Sequence, residues 1–287
     1  MFNKLLAIIE ETIREAKAKK TLIGFFAFSC LIILVALLIF QLTSLKEHYS
    51  QLAVNVGAPH NQHTNGKNLD LIGATLLEYI WAITSQVLLF ITVCTGVFAT
   101  ANLMTSIMEK GAIDLLISKP VPRWLYIVGR YLGASAIMLA EVLVLVLGLW
   151  LVTGISFGAW SAKFLLSIPY MLLTFMGVYA VVALVGILTR SSALSIIVGI
   201  TLYIFIGAIL PLGQFLDKLL GSGGGDGAFS MIAKVIHWSL PQISDLAFGM
   251  SESIVGHPID WLPIFATMAI IVIYGGLASW NFSKKEF

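Results

Sequence analysis

The chain has 287 residues, of which 59% are hydrophobic and 11% charged, and a mean hydropathy of +0.95. One soluble core cannot hide that much apolar surface, so the chain belongs in a bilayer. Its net charge of +2 is no argument for binding nucleic acid.

Residues 2–20 place Phe2, Leu5, Leu6, Ile9, Ile13 and Ala16 at helical spacing, with Glu11, Arg14, Glu15 and Lys19 mainly elsewhere. That pattern predicts a helix lying in the membrane interface, either as a basic anchor that sets topology or as a helix that also touches a cytoplasmic partner. Six apolar runs follow: Thr21 to Leu45, Tyr79 to Met108, Tyr131 to about Val152, Phe164 to Thr189, Ser191 to Leu216 and Trp261 to Ser283. Each can cross roughly 30 Å of hydrocarbon as a helix, so the predicted fold is an all-α membrane protein of six transmembrane helices in one permease-like domain. A β-barrel is excluded because "CLIILVALLIF", Cys30 to Phe40, is apolar on every face. The first run is too long for a signal-peptide core and is read as retained.

Between the first two runs, Lys46 to about Asp70 is polar and predicts an irregular excursion. It holds His60 and His63, a weak metal pair that no cysteine or adjacent carboxylate joins. Cys30 and Cys94 both fall within spans and read as packing residues, not a disulfide. In the second run Ser85, Thr92, Gly96, Ala99, Asn102 and Ser106 share a helical face, which suits helix packing or a substrate-facing path; Thr92, Gly96 and Asn102 are candidates for a gate or interface. Glu141 in the third run is the one ionisable residue deep inside a span, and it reads as a gate, a proton carrier or a bonded structural carboxyl. "GISFG", Gly154 to Gly158, matches a nucleophile-elbow spacing but follows a helix and not a strand, so it carries no catalysis. "GSGGGDG", Gly221 to Gly227, lacks the lysine of a P-loop, so the chain does not hydrolyse ATP by that route. The apolar pieces after it, "AFSMIAKVIHW" and "PQISDLAFGM", are too short to span and predict short helices at the outer membrane surface.

With the N-terminus inside, twelve of the seventeen Lys and Arg residues fall in inner segments and five in outer ones, which predicts that both termini are cytoplasmic. "MEKGAIDLLISKPVPR", Met108 to Arg123, carries five charges between two apolar runs on that inner side. Ile113, Leu116 and Ile117 share a helical face there, Gly111 precedes them, and Pro120 and Pro122 end any helix about two turns on.

Glu109, Gly111, Leu115, Leu116, Pro120 and Arg123, followed by Arg130 and Gly133, resemble the inner-loop motif of permease subunits of type-2 ABC transporters, with a leaning towards the branch of nitrous-oxide-reductase maturation and gliding-motility permeases. The resemblance implies that Glu109 to Arg123, Ile113 included, forms a coupling helix for a separate ATPase subunit, which would hold the ATP and Mg. It also implies a second permease copy or paralogue, and a multi-pass subunit of a bacterial or archaeal inner membrane that binds no cofactor itself. The outer short helices resemble the family's re-entrant element. Two other readings stay open: a gradient-driven transporter using Glu141, and a membrane assembly or scaffold protein.

Overall fold

The computed structural model describes residues 2–42, 66–108, 122–157, 160–209 and 238–284, and every element among them is helical. Helix α1 (Phe2–Ala18) and helix α2 (Thr21–Leu42) meet at a bend of 71°. Lys20 makes the bend at φ 57°, and hydrogen bonds continue through it: the Lys20 N–H donates to the Lys17 carbonyl and the Gly24 N–H to the Lys20 carbonyl, each at 3.1 Å. Helix α3 (Gly66–Thr105) is 40 residues long and closes in a buried 3-10 turn, Ser106–Met108. Its start at Gly66 lies within the stretch expected to be irregular, so the helix runs well past the apolar span itself, Glu78–Met108.

Helix α4 (Arg123–Phe157) also begins earlier than the apolar run suggested, eight residues before Tyr131. Pro122 precedes it, and a proline whose fixed φ suits the first turn can start a helix; Arg123 and Arg130 interrupt an otherwise apolar opening, which is why the run read as beginning at Tyr131. After a 3-10 turn, Ala162–Leu166, come α5 (Ser167–Thr189) and α6 (Ser192–Ile204), the latter running on into a π turn at Phe205–Ile209. Arg190, at φ 56°, donates its N–H to the Gly186 carbonyl and Ser191 caps α6 by accepting from the Leu194 N–H, so two residues reverse the chain. Helix α7 (Ile243–Val255) and helix α8 (Leu262–Lys284) complete the chain.

Among the described residues four helical segments are long and apolar enough to cross a membrane, Glu78–Met108, Arg123–Ile155, Ala162–Thr189 and Leu262–Lys284, and the bent α1–α2 pair makes a fifth if it is counted as one span. The run expected from Ser191 to Leu216 is described only as far as Ile209, as α6 and its π turn.

Helix α5 is the centre of the bundle, packed by α3, α4, α6, α7 and α8. Its Phe175 and Tyr179 stack at 5.3 Å between ring centroids, and Tyr179 stacks on Tyr131 of α4 at 5.5 Å. Both hydroxyls are satisfied by carbonyls: Tyr179 donates to Thr100 at 3.1 Å and Tyr131 to Met176 at 2.6 Å. A buried tyrosine needs such a partner, which makes these rings specific joints as well as apolar filling.

Helix α7 is the second of the short apolar pieces expected before the last span. It is wedged against α3 and α5 with Ile243, Leu246, Met250 and Ile254 buried. Its start reaches deep into the bundle, since a methyl group on Gly177, ten residues into α5, would lie 2.9 Å from Pro241. At its other end Tyr170 and Ser253 hydroxyls bond at 3.1 Å, and Gln86 of α3 donates to Ser251 and to the Ala247 carbonyl. A short amphipathic helix can enter a bundle in this way because its polar face finds partners on its neighbours. Most of "AFSMIAKVIHW" lies outside the described residues.

Candidate functional site at the connection of α3 and α4

The connection from α3 to α4 is flanked by one buried polar cluster. Arg130, two turns into α4, is 4% exposed. Its guanidinium pairs with Glu15 of α1, donates to the Leu103 carbonyl of α3 at 3.2 Å and to the Ser106 hydroxyl at 3.4 Å, and donates to the Tyr126 hydroxyl at 2.8 Å. Ser106 in turn donates to Glu15 at 2.9 Å, and Lys19 reaches the same carboxylate at 2.8 Å. An arginine fork with several donors can hold three elements at once, where a lysine would hold one. Here it joins the last turn before the connection, the first turns after it, and α1.

Helix α1 reaches the cluster because α4 is cut away to receive it. A methyl group on Gly129 would sit 2.6 Å from Ile8 Cγ2, and one on Gly133 2.7 Å from Thr12 Cβ. Two glycines four residues apart make the groove that lets helix backbones approach closely. The buried stripe of α1 is therefore Ile8, Thr12 and Ala16, with Leu6 48% exposed and Glu15 turned inward. Burial alone would push the Glu15 carboxyl up; the hydrogen bond from Lys19, the charge of Arg130, the Ser106 hydroxyl and the charge of Lys19 together outweigh it and leave it below the usual carboxylate range.

Arg123 opens α4 and its guanidinium lies 3.5 Å from the Ser283 carbonyl at the end of α8, a favourable place for a cation. Glu109, Gly111, Ile113, Leu115, Leu116 and Pro120 lie outside the described residues, as do His60 and His63. Among the described residues no group of three His, Cys, Asp or Glu could hold a metal ion.

The candidate gate residues are not brought together. Glu141 of α4 is 2% exposed and accepts a hydrogen bond from Ser29 of α2, while its second oxygen has no partner among the described residues. Just beyond it Ile33 of α2 fills the space over Gly148. Thr92 is fully buried and its hydroxyl has no partner among the described residues, and Gly96 lies beneath Met138 and Phe175. Asn102 instead faces out of the bundle, into a cavity between α2, α3 and α6. The spacing concealed this split, because at 100° per residue Asn102 falls about 100° round the helix from Ser85.

The Glu15–Arg130 pair was not found from the sequence. Its one visible sign is an arginine standing seven residues inside a helix that then continues as an apolar span, which calls for a partner without saying which of the acidic residues supplies it.

At the end of the bundle away from the connection, Lys163 bonds Glu78 of α3 at 2.6 Å, and its ammonium lies beside Gly256, which caps α7 at φ 105°.

No curated protein matches the chain closely enough to serve as a relative. The family of ABC-2 family transporter proteins matches residues 6–287, nearly the whole length. The described helices fit that match, with their long apolar spans and a polar connection held by buried charge. The chain belongs to the ABC-2 family of transporter proteins: it is a multi-pass membrane protein, the permease component of an ABC transporter, and the ATPase activity lies in a separate subunit.

Proposed function

We propose that the chain carries force from a partner ATPase to a substrate through the connection between α3 and α4. The connection, residues 109–122, docks in the ATPase as a coupling helix through Gly111, Ile113, Leu115 and Leu116, with Glu109, Pro120 and Arg123 at its ends. Closure of the ATPases around ATP and Mg moves that helix, and the motion enters α3 and α4 together. The observation that carries this reading is the Arg130 cluster, which ties both flanks of the connection to α1. A solvated loop that served only to join two spans would have no need of a buried guanidinium at its root.

In this reading the α3–α4 connection and both termini are cytoplasmic, six helices span the membrane, and two permease chains, identical or paralogous, line the path between them. The membrane is the inner membrane of a bacterium or archaeon, and the nitrous-oxide-reductase maturation and gliding-motility branch is the nearest setting. The unpartnered oxygen of Glu141 favours a second reading, in which that carboxyl carries a proton in a gradient-driven step.

The test is to purify the tagged chain in mild detergent from its native host and identify its companions by mass spectrometry, beside a Leu115→Asp variant. An ATPase subunit present with the native chain and lost with the variant is the expected result. The same subunit retained by the variant would move the docking site elsewhere, and no ATPase even after cross-linking would overturn the coupling reading.

A further inference from the structure

The chain reaches α7 from deep inside the bundle. The Tyr274 hydroxyl of α8 donates to the Ser239 carbonyl at 3.0 Å, and Tyr274 stands twelve residues into its helix, about 18 Å from the start. Pro241 lies over Gly177, ten residues or about 15 Å into α5. Residues 239–242 are therefore about halfway across a hydrocarbon core of roughly 30 Å. From there α7 runs about 20 Å to Gly256, beside Lys163.

Two side chains at this contact lack hydrogen bonds among the described residues. Gln242, which precedes the first turn of α7, is fully buried, and neither its amide nitrogen nor its amide oxygen has a partner there. Thr267 of α8 is equally buried and its hydroxyl equally unmet. Both elements close on the same glycine, since a methyl group on Gly177 would lie 2.9 Å from Pro241 and 3.0 Å from Thr267. Elsewhere the chain satisfies such groups: Thr100, Thr153 and Thr174 give their hydroxyls to the carbonyl four residues back, and the Gln86 amide bonds α7 twice. The unmet atoms of Gln242 and Thr267 are closed to water.

A buried polar group without a partner disfavours the packing that holds it, each by roughly tenfold in population or more. An apolar residue of the same shape would hold the contact more firmly. We infer that Gln242 and Thr267 serve a second conformation of the permease, in which the Gln242 end of α7 leaves Gly177 and water reaches both side chains. The closed packing then carries a bias towards opening, and the ATPase cycle has less to supply. The seat of α7 suits such a movement. Beside its apolar stripe, α7 is held by exchangeable polar contacts: Gln86 with Ser251, Tyr170 with Ser253, and Lys163, paired with Glu78, at its C-terminal cap. Water can take the place of each as the helix shifts. The inference rests on the ATP-driven permease assignment but not on where the ATPase docks.

The experiment uses the complex of the chain with its ATPase in lipid nanodiscs. Gln242→Met and Thr267→Val remove the unmet groups while keeping the shape. Each should unfold at the native temperature or above it, yet turn over ATP at least about threefold more slowly. Thr267→Ser, which keeps the hydroxyl, should retain turnover. Thr267→Cys, combined with Cys30→Ala and Cys94→Ala, reports the opening directly. A charged methanethiosulfonate should modify it at least about tenfold faster with ATP and Mg than without, and adding Gln242→Met should remove most of that gain. Apolar variants that unfold earlier than the native complex would make Gln242 and Thr267 ordinary stabilising contacts, and apolar variants with native turnover would leave the second conformation with no need of them. Either result, or a Thr267→Cys rate unmoved by ATP, would overturn the inference. Native ATP turnover by the same complex is scored first, and its absence would count against the assignment beneath the inference and not against α7.

Discussion

Removing the Glu15 carboxylate should be among the most damaging single changes near the α3–α4 connection. Arg130 has a side chain 5% exposed and Glu15 one that is 22% exposed. Glu15→Ala leaves the guanidinium buried with three neutral acceptors, the Tyr126 and Ser106 hydroxyls and the Leu103 carbonyl. Breaking a buried pair from one side costs about 3–5 kcal/mol. The remaining acceptors and the solvent-facing edge of Glu15 put this case near 3 kcal/mol, or roughly 6 °C in Tm for a chain of this length. Arg130→Met removes the buried charge and leaves Glu15 with Lys19 and Ser106, so it should cost only about 1 kcal/mol. The double variant should resemble Arg130→Met, giving a coupling of about 2–3 kcal/mol in a double-mutant cycle. Thermal unfolding in detergent, followed by circular dichroism, reads all four proteins. A Glu15→Ala protein within about 0.5 kcal/mol of the native one, or additive single effects, would refute the argument that the pair holds α1 in place.

Three further outcomes follow from the packing and the charges. Gly133→Val puts atoms where Thr12 already stands and should cost about 1–3 kcal/mol while releasing α1 from α4, measurable as faster proteolysis of residues 2–18; Gly275→Ala, whose added methyl meets nothing within 4 Å, should be neutral or slightly stabilising. The lowered Glu15 carboxyl implies a contribution fully present above its unfolded value, near 4.3, and lost as pH falls through the lower folded value; unfolding measured from pH 7 to pH 3 should be flat above about pH 5 and weaken below about pH 4, and Glu15→Gln should remove that dependence. Glu141→Gln keeps an acceptor for Ser29 and should preserve transport within about threefold, whereas Glu141→Leu strands the hydroxyl at a cost of about 1–3 kcal/mol; a Gln variant that is stable but inert in transport would favour the proton-carrying reading.

The spans were legible because a helix in hydrocarbon must be apolar along its length, and runs such as Phe164 to Thr189 have almost no other meaning. Helix ends were less legible: Arg123 to Arg130 is helical and mostly apolar, but its two arginines break the apolar run, so the span read as starting only at Tyr131. The packing of helix α7 was not legible, because a 13-residue amphipathic segment reads the same beside a bundle or within one, and contacts such as Gly177 with Pro241 show only in three dimensions. The family motif pointed to the α3–α4 connection and to Arg130 and Gly133, but not to what they touch. Glu15 is 115 residues from Arg130 and Ser29 is 112 from Glu141, and no periodicity reaches across such distances. On α1 the apolar spacing showed an amphipathic helix but not that Glu15, Ile8 and Thr12 would be the side that meets α4.

The bend at Lys20 closes a figure. Helix α1 is joined to α4 at Glu15 and Arg130, and α2 is joined to the same helix at Ser29 and Glu141. At 1.5 Å per residue the sides are about 8 Å from Lys20 to Glu15, 14 Å from Lys20 to Ser29 and 16 Å from Arg130 to Glu141. These lengths, with the 71° bend, form a triangle with a vertex at Lys20 and struts along α1, α2 and α4. A triangle cannot shear unless a corner opens. The three helices therefore travel as one frame, and because Arg130 also holds Leu103 and Ser106, the foot of α3 is carried with it.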